Sequence, residues 1–403
     1  MRRMRRLAVL LAFFLVVPLS AQKRRAAESS PGEIRIGALF SLTGDGSTLG
    51  NASAAALELA ATDINAEMQT MRLPYRVETF IEDTAHVPAN ALTKLIALNA
   101  NHAGYVIGPQ SSAEAAAVVD YANANNLIFV SQGSTASSLA LPNDTLFRLA
   151  PNDKLEGAAI AALMRADGLD TLVEVSRDDA GNAGLRDSTM NAFIADGGTV
   201  VNGITYSAAT TDFAPTVTSL GTIVRGIKNS KPSAKIAIYL AAFDEAVNIF
   251  DLARLDSDLA SLRWYGGDGV VQSQALLAKS AVAAFGATTQ FTAPNVGLDD
   301  SSSDLWKPVS DQIAAIVGFT PDAYALSVYD AAWVIALSFI ESRGADDLRK
   351  TSFARNLQRY WGLTGSTAVD ANGDRKSGNF DFWTIRDSQW IRTSQYVGGH
   401  VSR

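Results

Sequence analysis

The side chains that could do chemistry in this chain are hydroxyls and carboxylates rather than thiols or imidazoles. The sequence contains no cysteine, and its three histidines, His86, His102 and His400, stand far apart without the spacing of a metal site. Serine becomes a nucleophile only beside a base, and no serine lies in the G-x-S-x-G turn that presents a nucleophile in many hydrolases. We therefore expect a protein that is not an enzyme and that uses no cofactor and no metal.

Two adjacent hydroxyls, on Ser111 and Ser112, occupy a more informative position. They lie in "GPQSSAEA", residues 108–115, between an apolar run and an alanine-rich run typical of a helix. Ser111 and Glu114 have the spacing of a capping box, in which both side chains satisfy free N–H groups at a helix start. The same N–H groups and the helix dipole also favour a bound anion. The pair indicates either an ordinary cap or a cradle for a ligand carboxylate.

Strand-like and helix-like runs alternate along the chain in two successive series. The first series has apolar runs at 34–40, 75–83, 105–108 and 127–131. After Pro151 the alternation restarts with a helical pattern and then a second series of apolar runs. Such alternation predicts parallel sheets with helices on both faces. The predicted fold class is therefore α/β, with two doubly wound lobes.

The loops that follow the strands are the expected place for a ligand, because open α/β sheets bind at the carboxyl ends of their strands. Four loops have this position: "SLTGDGSTLG" at 41–50, "GPQSSAEA" at 108–115, "SQGSTASS" at 131–138 and "GGDGV" at 266–270. The first loop does not fit a dinucleotide fingerprint, because its glycines are spaced one residue too widely. Further along, "DANGD" at 370–374 lacks the closing Glu of a calcium loop and is expected to be a β-turn.

Length and composition set the broad class of the protein. The chain has 403 residues, of which 47% are hydrophobic and 19% charged, so it can bury two cores. Its formal charge is −7, and it becomes −11 without the four arginines of the first 21 residues. An acidic surface argues against nucleic acid and anionic membrane as partners.

The N-terminus has the pattern of an export signal. Residues 1–21 carry four arginines, followed by an apolar run of 13 residues at 7–19. This apolar run is too short to cross about 30 Å of hydrocarbon. We predict a signal peptide at 1–21 and a flexible segment at 22–32. No later stretch reads as long and apolar enough to span a membrane. We therefore expect a soluble periplasmic protein without membrane insertion after the signal is removed.

Several of these stretches together resemble a known family. "IRIGALFSLTGDGSTLGNASAAALELAATDINA", "YVIGPQSSAEAAAVVDYANANNLIFVSQGST" and "FRLAPNDKLEGAAIAAL" are similar in order and spacing to periplasmic binding proteins of the leucine/isoleucine/valine-binding type. The resemblance implies a type I fold of two lobes joined by three crossings, near 149–152, 291–294 and 362–366. It implies discontinuous lobes, with lobe 1 formed by 33–150 and 292–363, and lobe 2 by 151–291 and 364–403.

The resemblance also implies a ligand site. Ser112, with Ser111 beside it, and the turn of Gly133, Ser134 and Thr135 would hold a ligand carboxylate. The acidic partners of a ligand ammonium would be Asp268 and Asp153. The side-chain pocket would be lined by Tyr324, Phe243 and Leu49, where Leu49 replaces the tyrosine of several relatives.

The function that the resemblance implies is capture of a small ligand for a membrane ABC importer. The expected ligand is an apolar amino acid, and the expected partner is the permease of the importer. Relatives also bind amides, urea or aromatic acids, which leaves these ligands open. A receptor-type subunit that signals to a membrane partner is the alternative from a different functional class.

Overall fold

The computed structural model describes residues 32–376 and 378–403. The predicted signal peptide at 1–21 and nearly all of the predicted flexible segment lie outside the described residues. Two sheets organise the described chain, one of five strands and one of eight. The predicted α/β class is confirmed, because the two sheets are largely parallel and carry helices on their faces.

The five-stranded sheet is entirely parallel and has the order β2-β1-β3-β4-β5. Its strands are β1 Gly32–Phe40, β2 Tyr75–Asp83, β3 Tyr105–Ile107, β4 Ile128–Ser131 and β5 Leu146–Arg148. Three helices alternate with the strands: α1 Ser47–Thr70, α2 Pro88–Ala100 and α3 Ser112–Ala124. Side chains alternate across the sheet, so that Ile36 packs on the face of α1 while Leu39 packs on the face of α2 and α3.

The eight-stranded sheet is parallel in its first half and antiparallel at the end of the chain. Its parallel strands are β6 Thr171–Asp178, β7 Thr199–Ser207, β8 Ile236–Ala241, β9 Arg263–Gly266 and β10 Thr292–Val296. A short separate hairpin consists of β11 Trp361–Gly362 and β12 Gly365–Ser366. The sheet is then extended by β13 Phe380–Arg386, β14 Gln389–Val397 and β15 His400–Ser402.

The helices of the second half cover both faces of this sheet. They are α4 Asp153–Ala166, α5 Ala180–Ala195, α6 Ala214–Ser230, α7 Ala246–Ala253, α8 Ser257–Ala260, α9 Gln274–Ala278 and α10 Ser280–Thr288. Three later helices return to the five-stranded sheet and share a core with α1: α11 Ser303–Val317, α12 Ala323–Ser342 and α13 Arg349–Leu357. We call the five-stranded sheet with its helices the first lobe, and the eight-stranded sheet with its helices the second lobe.

Helix α12 corrects one expectation from the sequence. Its 20 residues are long and apolar enough to cross a membrane by length and composition, although the sequence analysis recognised no such stretch. Of its apolar 18-residue window, 78% is buried inside the protein. Leu326 and Ile335 pack there into the core of the first lobe. Its apolar character is therefore that of a central core helix.

The chain passes between the lobes three times, and one passage differs from the prediction. Strand β10 pairs with β13 along its whole length and with β9 at Thr292, so it belongs to the second lobe. The predicted crossing at 291–294, and with it the predicted start of the returning segment at 292, therefore come too early. The chain leaves the second lobe only after Val296, on its way to α11.

A buried ion pair ties two of the passages together. Arg148, at the end of β5, donates from Nε and Nη2 to the two carboxylate oxygens of Asp374, each at 2.6 Å. Its third group, Nη1, donates to the carbonyl of Ala136 at 2.5 Å. Both charged side chains are almost completely buried, at 1% and 3% exposure. A bidentate pair of this kind fixes the geometry of the connection between the lobes.

Candidate functional site

A cavity of about 60 Å³ lies between the two lobes, at the carboxyl ends of their strands. This is the expected ligand position in such sheets, and the volume is several times the 10–15 Å³ or so that a single water requires. Eight of the ten residues predicted from the sequence line it: Leu49, Ser111, Ser112, Gly133, Thr135, Phe243, Asp268 and Tyr324. The two others, Ser134 and Asp153, are fully buried behind this wall.

Ser111 and Ser112 have different hydrogen-bond partners in the structure. Ser111 is the N-cap of α3 and forms the capping box, because its hydroxyl accepts from the N–H of Glu114 and donates to Glu114 Oε2 at 2.6 Å. Ser112 Oγ instead accepts from the backbone N–H groups of Thr135 and Ala136, at 3.2 and 3.1 Å. Its own proton remains to be donated, to Ser134 or to a ligand oxygen.

The turn after β4 is held against the start of α3. Ser134 donates its backbone N–H to Ser131 Oγ at 2.9 Å, and its hydroxyl lies 3.0 Å from Ser112 Oγ. At position 133 a Cβ atom would come within 2.8 Å of the Gln110 carbonyl, so only glycine permits this close approach. The turn therefore presents Gly133 and Thr135 to the cavity while Ser134 supports them from behind.

Asp268 carries a carboxylate on the opposite wall, in the loop after β9. Its Oδ2 accepts a hydrogen bond from the hydroxyl of Tyr324 at 2.8 Å. Its backbone N–H donates to Oε1 of Glu156 at 2.9 Å. Burial raises the pKa of Asp268 to about 6, although the Tyr324 hydroxyl opposes that rise.

Two further carboxyl groups lie behind Asp268, on the first turn of α4. Asp153 and Glu156 are both 0% exposed. Burial raises the pKa of Asp153 to about 7 and that of Glu156 well above its ordinary value, and the charge of Asp268 adds to both shifts. The Thr135 hydroxyl lowers the pKa of Asp153 partly, but neither oxygen of Asp153 has a partner of standard hydrogen-bond geometry among the described residues.

A fourth carboxyl group, Asp322, completes the cluster. It caps α12 by accepting from the N–H of Ala325 at 2.8 Å, and it lines the cavity. Burial raises its pKa to about 6, with a further contribution from Asp268. We call Asp153, Glu156, Asp268 and Asp322 the acid cluster. Among the residues that the structure describes, neither lysine nor arginine lines the cavity beside it.

Much of the remaining wall is apolar or aromatic, and a few of its acceptor atoms have no hydrogen-bond partner among the described residues. Aliphatic side chains come from Leu49, Leu185 and Val271, while the rings of His86 and Phe243 stack with their centroids 4.3 Å apart. His86 Nδ1 donates to the carbonyl of Asp45 at 2.7 Å, because a carbonyl oxygen can only accept. Over the described chain, His86 Nε2 has no partner.

Polar contacts across the mouth of the cavity join the lobes; we call them the lip. Helix α1 has no side-chain cap of its own, and the N–H of Gly46 donates instead to Asp244 Oδ2 of the second lobe, at 3.0 Å. In return, the N–H of Gln274 at the start of α9 donates to Thr48 Oγ1 at 3.2 Å. Arg177 lies 3.1 Å from Asp45 across the same gap. The structure is therefore that of a closed cleft.

Sequence reasoning did not single out five of the polar residues at this site: His86, Gln110, Glu156, Asp244 and Asp322. Some signals for them exist. Gln110 belongs to the loop that contains both serines, Glu156 lies one helical turn after Asp153, and Asp322 stands two positions before Tyr324. Asp244 directly follows the predicted wall residue Phe243, but only the closed arrangement brings it to α1.

The cavity presents hydrogen-bond donors and carboxylates on opposite walls. Within residues 32–376 and 378–403, no three histidine, aspartate or glutamate side chains form a group that could hold a metal. The cavity offers hydroxyl donors on one side and carboxylates on the other. This arrangement can bind a zwitterion by hydrogen bonds and charge.

The sequence matches the family described as the receptor family ligand binding region over residues 52–388, which is most of the chain. The chain belongs to this family. One relative of this receptor-family chain is an uncharacterized protein of Methanocaldococcus jannaschii, 26% identical over 381 residues, covering 90% of this chain and 89% of that protein.

Solved structures show the fold of this receptor-family chain. The leucine binding protein LivK of Thermotoga maritima matches with a TM-score of 0.77 and 17% identity, covering 91% of this chain and 99% of LivK. A solute binding protein of R. palustris, solved in complex with benzoate, matches with a TM-score of 0.72 and 19% identity, covering 90% of this chain and 96% of that protein. The predicted type I periplasmic binding protein fold is confirmed.

Proposed function

We propose that this protein is an exported solute-binding protein that captures an apolar amino acid between its lobes and delivers it to the permease of an ABC importer. The observation that carries the proposal is the acid cluster beside a cavity whose described lining contains no lysine or arginine, opposite the hydroxyls at the start of α3. A zwitterion complements both sides, since its ammonium meets the carboxylates and its carboxylate meets the hydroxyls and N–H groups.

The roles of the ligand-binding residues follow from this orientation. Ser112 and Thr135, with Ser111, Gly133 and Ser134 shaping the same turn, would hold the carboxylate. Asp268, supported by Asp153, would hold the ammonium. The side chain would pack on Leu49, Phe243 and Tyr324. The lobes would close over the ligand by hinge bending at the three crossings, in the periplasm and without membrane insertion.

The carboxylates also favour an amino acid over an aromatic acid. Benzoate carries a negative charge and no amine, so it would leave every carboxyl group of the acid cluster without a cation. Small amides and urea offer N–H donors but no charge, and they would satisfy the acceptors only in part. The amino acid is therefore the ligand class that this cavity supports best.

A ligand screen by thermal shift tests the proposal. L-leucine, L-isoleucine, acetamide, urea and benzoate are added separately to the purified protein. A ligand at 100 times its Kd adds about 2.7 kcal/mol to the free energy of unfolding. We expect the two amino acids to raise the melting temperature most. Stabilisation by benzoate, or by acetamide or urea alone, would contradict the proposed ligand class.

A pair of variants tests the carboxylate side of the site. Ser112→Ala removes a hydroxyl from the cavity wall, and it should weaken L-leucine binding roughly 10- to 100-fold, the usual range for a hydrogen bond to a charged group. Ser230→Ala removes an exposed hydroxyl at the end of α6, whose bonds stay within its own helix, and should leave binding unchanged. Equal affinities of all three proteins would reject the assignment of Ser112.

The second candidate function is a receptor-type ligand-binding subunit. The family description favours it, because that family is named for receptors. Genes next to this one separate the two: adjacent permease and ATPase genes indicate import, and an adjacent kinase or cyclase gene indicates signalling.

A further inference from the structure

The acid cluster contains more carboxyl groups than one ammonium requires. Asp153 and Glu156 lie three positions apart on α4 and therefore on one face of the helix. Glu156 uses one oxygen to accept from the N–H of Asp268, while its Oε2 has no partner within the described chain. Asp268 and Asp322 are thus the members of the acid cluster that line the cavity, while Asp153 and Glu156 are completely buried behind them.

The groups that face the cluster do not balance its charge. Tyr324 on α12 and Tyr239 on β8 are neutral at neutral pH, since burial raises the pKa of both phenols. The charge of Arg148 on β5 lowers the pKa of Asp153. However, the Arg148 guanidinium already donates to both carboxylate oxygens of Asp374. Several buried carboxylates without a cation are too costly to remain all ionised. The cost therefore favours at least one proton on the acid cluster in the ligand-free protein.

We propose that an amine ligand binds this cavity by displacing a proton from the acid cluster. The proposal rests on the proposed function in that it takes an amine as the ligand. The ligand enters as an ammonium, one carboxylic acid of the cluster becomes a carboxylate, and its proton passes to the buffer. No covalent bond forms or breaks in the ligand. The ammonium supplies the positive charge that the fold leaves out, and capture becomes coupled to pH.

The direction of the pH effect follows from this exchange. At lower pH a larger fraction of the molecules carries the proton on the cluster, so a competing ammonium binds more weakly. Affinity for an amine should fall roughly tenfold per pH unit for each proton displaced, over the range from about pH 7.5 down to about pH 5.5. A ligand without the amine, such as 4-methyl-2-oxopentanoate, should show no such fall, because its binding displaces no proton.

Calorimetry counts the proton directly. L-leucine is titrated into the wild-type protein at about pH 6.5 in phosphate and in ACES, whose ionisation enthalpies differ. The difference in heat gives the number of protons released, and we expect about one. Glu156→Gln keeps the oxygen that accepts from the N–H of Asp268 but cannot ionise. This variant should release fewer protons and lose much of the pH dependence.

A matched control is available in the second lobe. Glu174 on β6 is also a buried carboxylate with a backbone partner, Gly203, and burial raises its pKa too. It lies outside the cavity, so Glu174→Gln should release as many protons on L-leucine binding as the wild type. L-leucine binding without proton release in the wild type, or unchanged release in Glu156→Gln, would overturn the proposal.

A ligand-free measurement separates this inference from the proposed function. Carboxyl carbons of the wild type are followed by NMR from about pH 5.5 to about pH 7.5, and at least one signal should titrate there and disappear in Glu156→Gln. Its absence would overturn the inference even if L-leucine binds. If the signal is present but L-leucine fails to bind, the proposed ligand is wrong while the proton of the cluster stands.

Discussion

Two groups of buried ionisable side chains in this protein are built in opposite ways. In the connection between the lobes, Arg148 and Asp374 share two hydrogen bonds of 2.6 Å, and the guanidinium has a third acceptor. Behind the cavity wall, Asp153 and Glu156 are equally buried, yet no cation is paired with either of them among the described residues.

The difference indicates what each region is for. A buried charge without a partner is costly, and folded chains avoid it or neutralise it by protonation. This chain pairs its buried charge where the partner can be another residue. On the proposed function, it leaves carboxyl groups without a cation where the ligand supplies one. The unpaired region is therefore the one that should respond to ligand and to pH, while the paired region should respond mainly to mutation.

The largest effect is expected at the paired region. Arg148→Met leaves Asp374 buried without its cation, and the free energy of unfolding should fall by about 3–5 kcal/mol. Urea unfolding of the ligand-free protein measures this loss. Lys307→Met removes one partner of an exposed pair with Asp311 and should cost less than about 1 kcal/mol. A similar small loss in both variants would show that the buried pair has no special role.

The next effect concerns the charge that a ligand brings. Asp268→Asn should weaken L-leucine binding roughly 10- to 100-fold, equivalent to about 1.5–3 kcal/mol, because the ammonium loses a charged acceptor. The same variant should bind 4-methyl-2-oxopentanoate nearly as well as the wild type does. Calorimetry with both ligands makes the comparison. Unchanged affinity for L-leucine in a folded variant would reject the ammonium assignment.

The pH dependence of stability gives a smaller effect with a defined sign. The pKa of Asp153 is about 7 in the folded protein, against an ordinary value of 3.8, so the folded state binds this proton more tightly. The corresponding stability is present at low pH and is lost as the pH rises through about 7. The free energy of unfolding without ligand should therefore increase between about pH 7.5 and pH 5.5, by up to about 1.4 kcal/mol per pH unit for each proton.

Urea unfolding of Asp153→Asn at the same two pH values provides the comparison. The variant cannot take up the proton, so its stability should change less between them than that of the wild type. The same pH dependence in both proteins would assign the effect to other carboxyl groups, such as Asp144, whose pKa burial raises to about 6.

The smallest effect is expected at the lip. Asp45 is 43% exposed, and Arg177 keeps Asp179 and Glu245 as partners when Asp45 is removed. Asp45→Ala should therefore cost the closed state about 0.2–1 kcal/mol, which appears as ligand release up to a few-fold faster in stopped-flow measurements. A much larger effect would place the main closing energy at the lip rather than in the cavity.

The alternation of strands and helices made the α/β fold predictable, but one lobe boundary was not. Strand β10, "TAPNV", contains a proline and an asparagine and has little of the pattern of a strand. It is fixed by antiparallel pairing with β13, more than 80 residues later in the chain. Local sequence carries no information on such a distant partner, so the boundary came out early.

The cavity wall was predictable where residues lie in a loop after a strand or at the start of the next helix, as Ser112, Gly133 and Asp268 do. It was less predictable where side chains arrive from helices. Glu156 is an ordinary acid in the first turn of α4, and Asp322 is an ordinary N-cap of α12. Packing of α4 within the second lobe places Glu156 against the N–H of Asp268, and packing between the lobes brings Asp322 near Asp268. Each acid has an ordinary role at a helix start, so the sequence did not indicate that these acids form a cluster.

Because the N–H of Gly46 donates to Asp244 across the cleft, this amide can report whether the cleft is open or closed. Its acceptor lies 198 positions away in the other lobe, and α1 offers no side chain to replace it. Whenever the lobes separate, this amide faces water and can take up deuterium. The exchange rate of one unmodified glycine amide would therefore report the fraction of time that the cleft spends open, with no dye or engineered label.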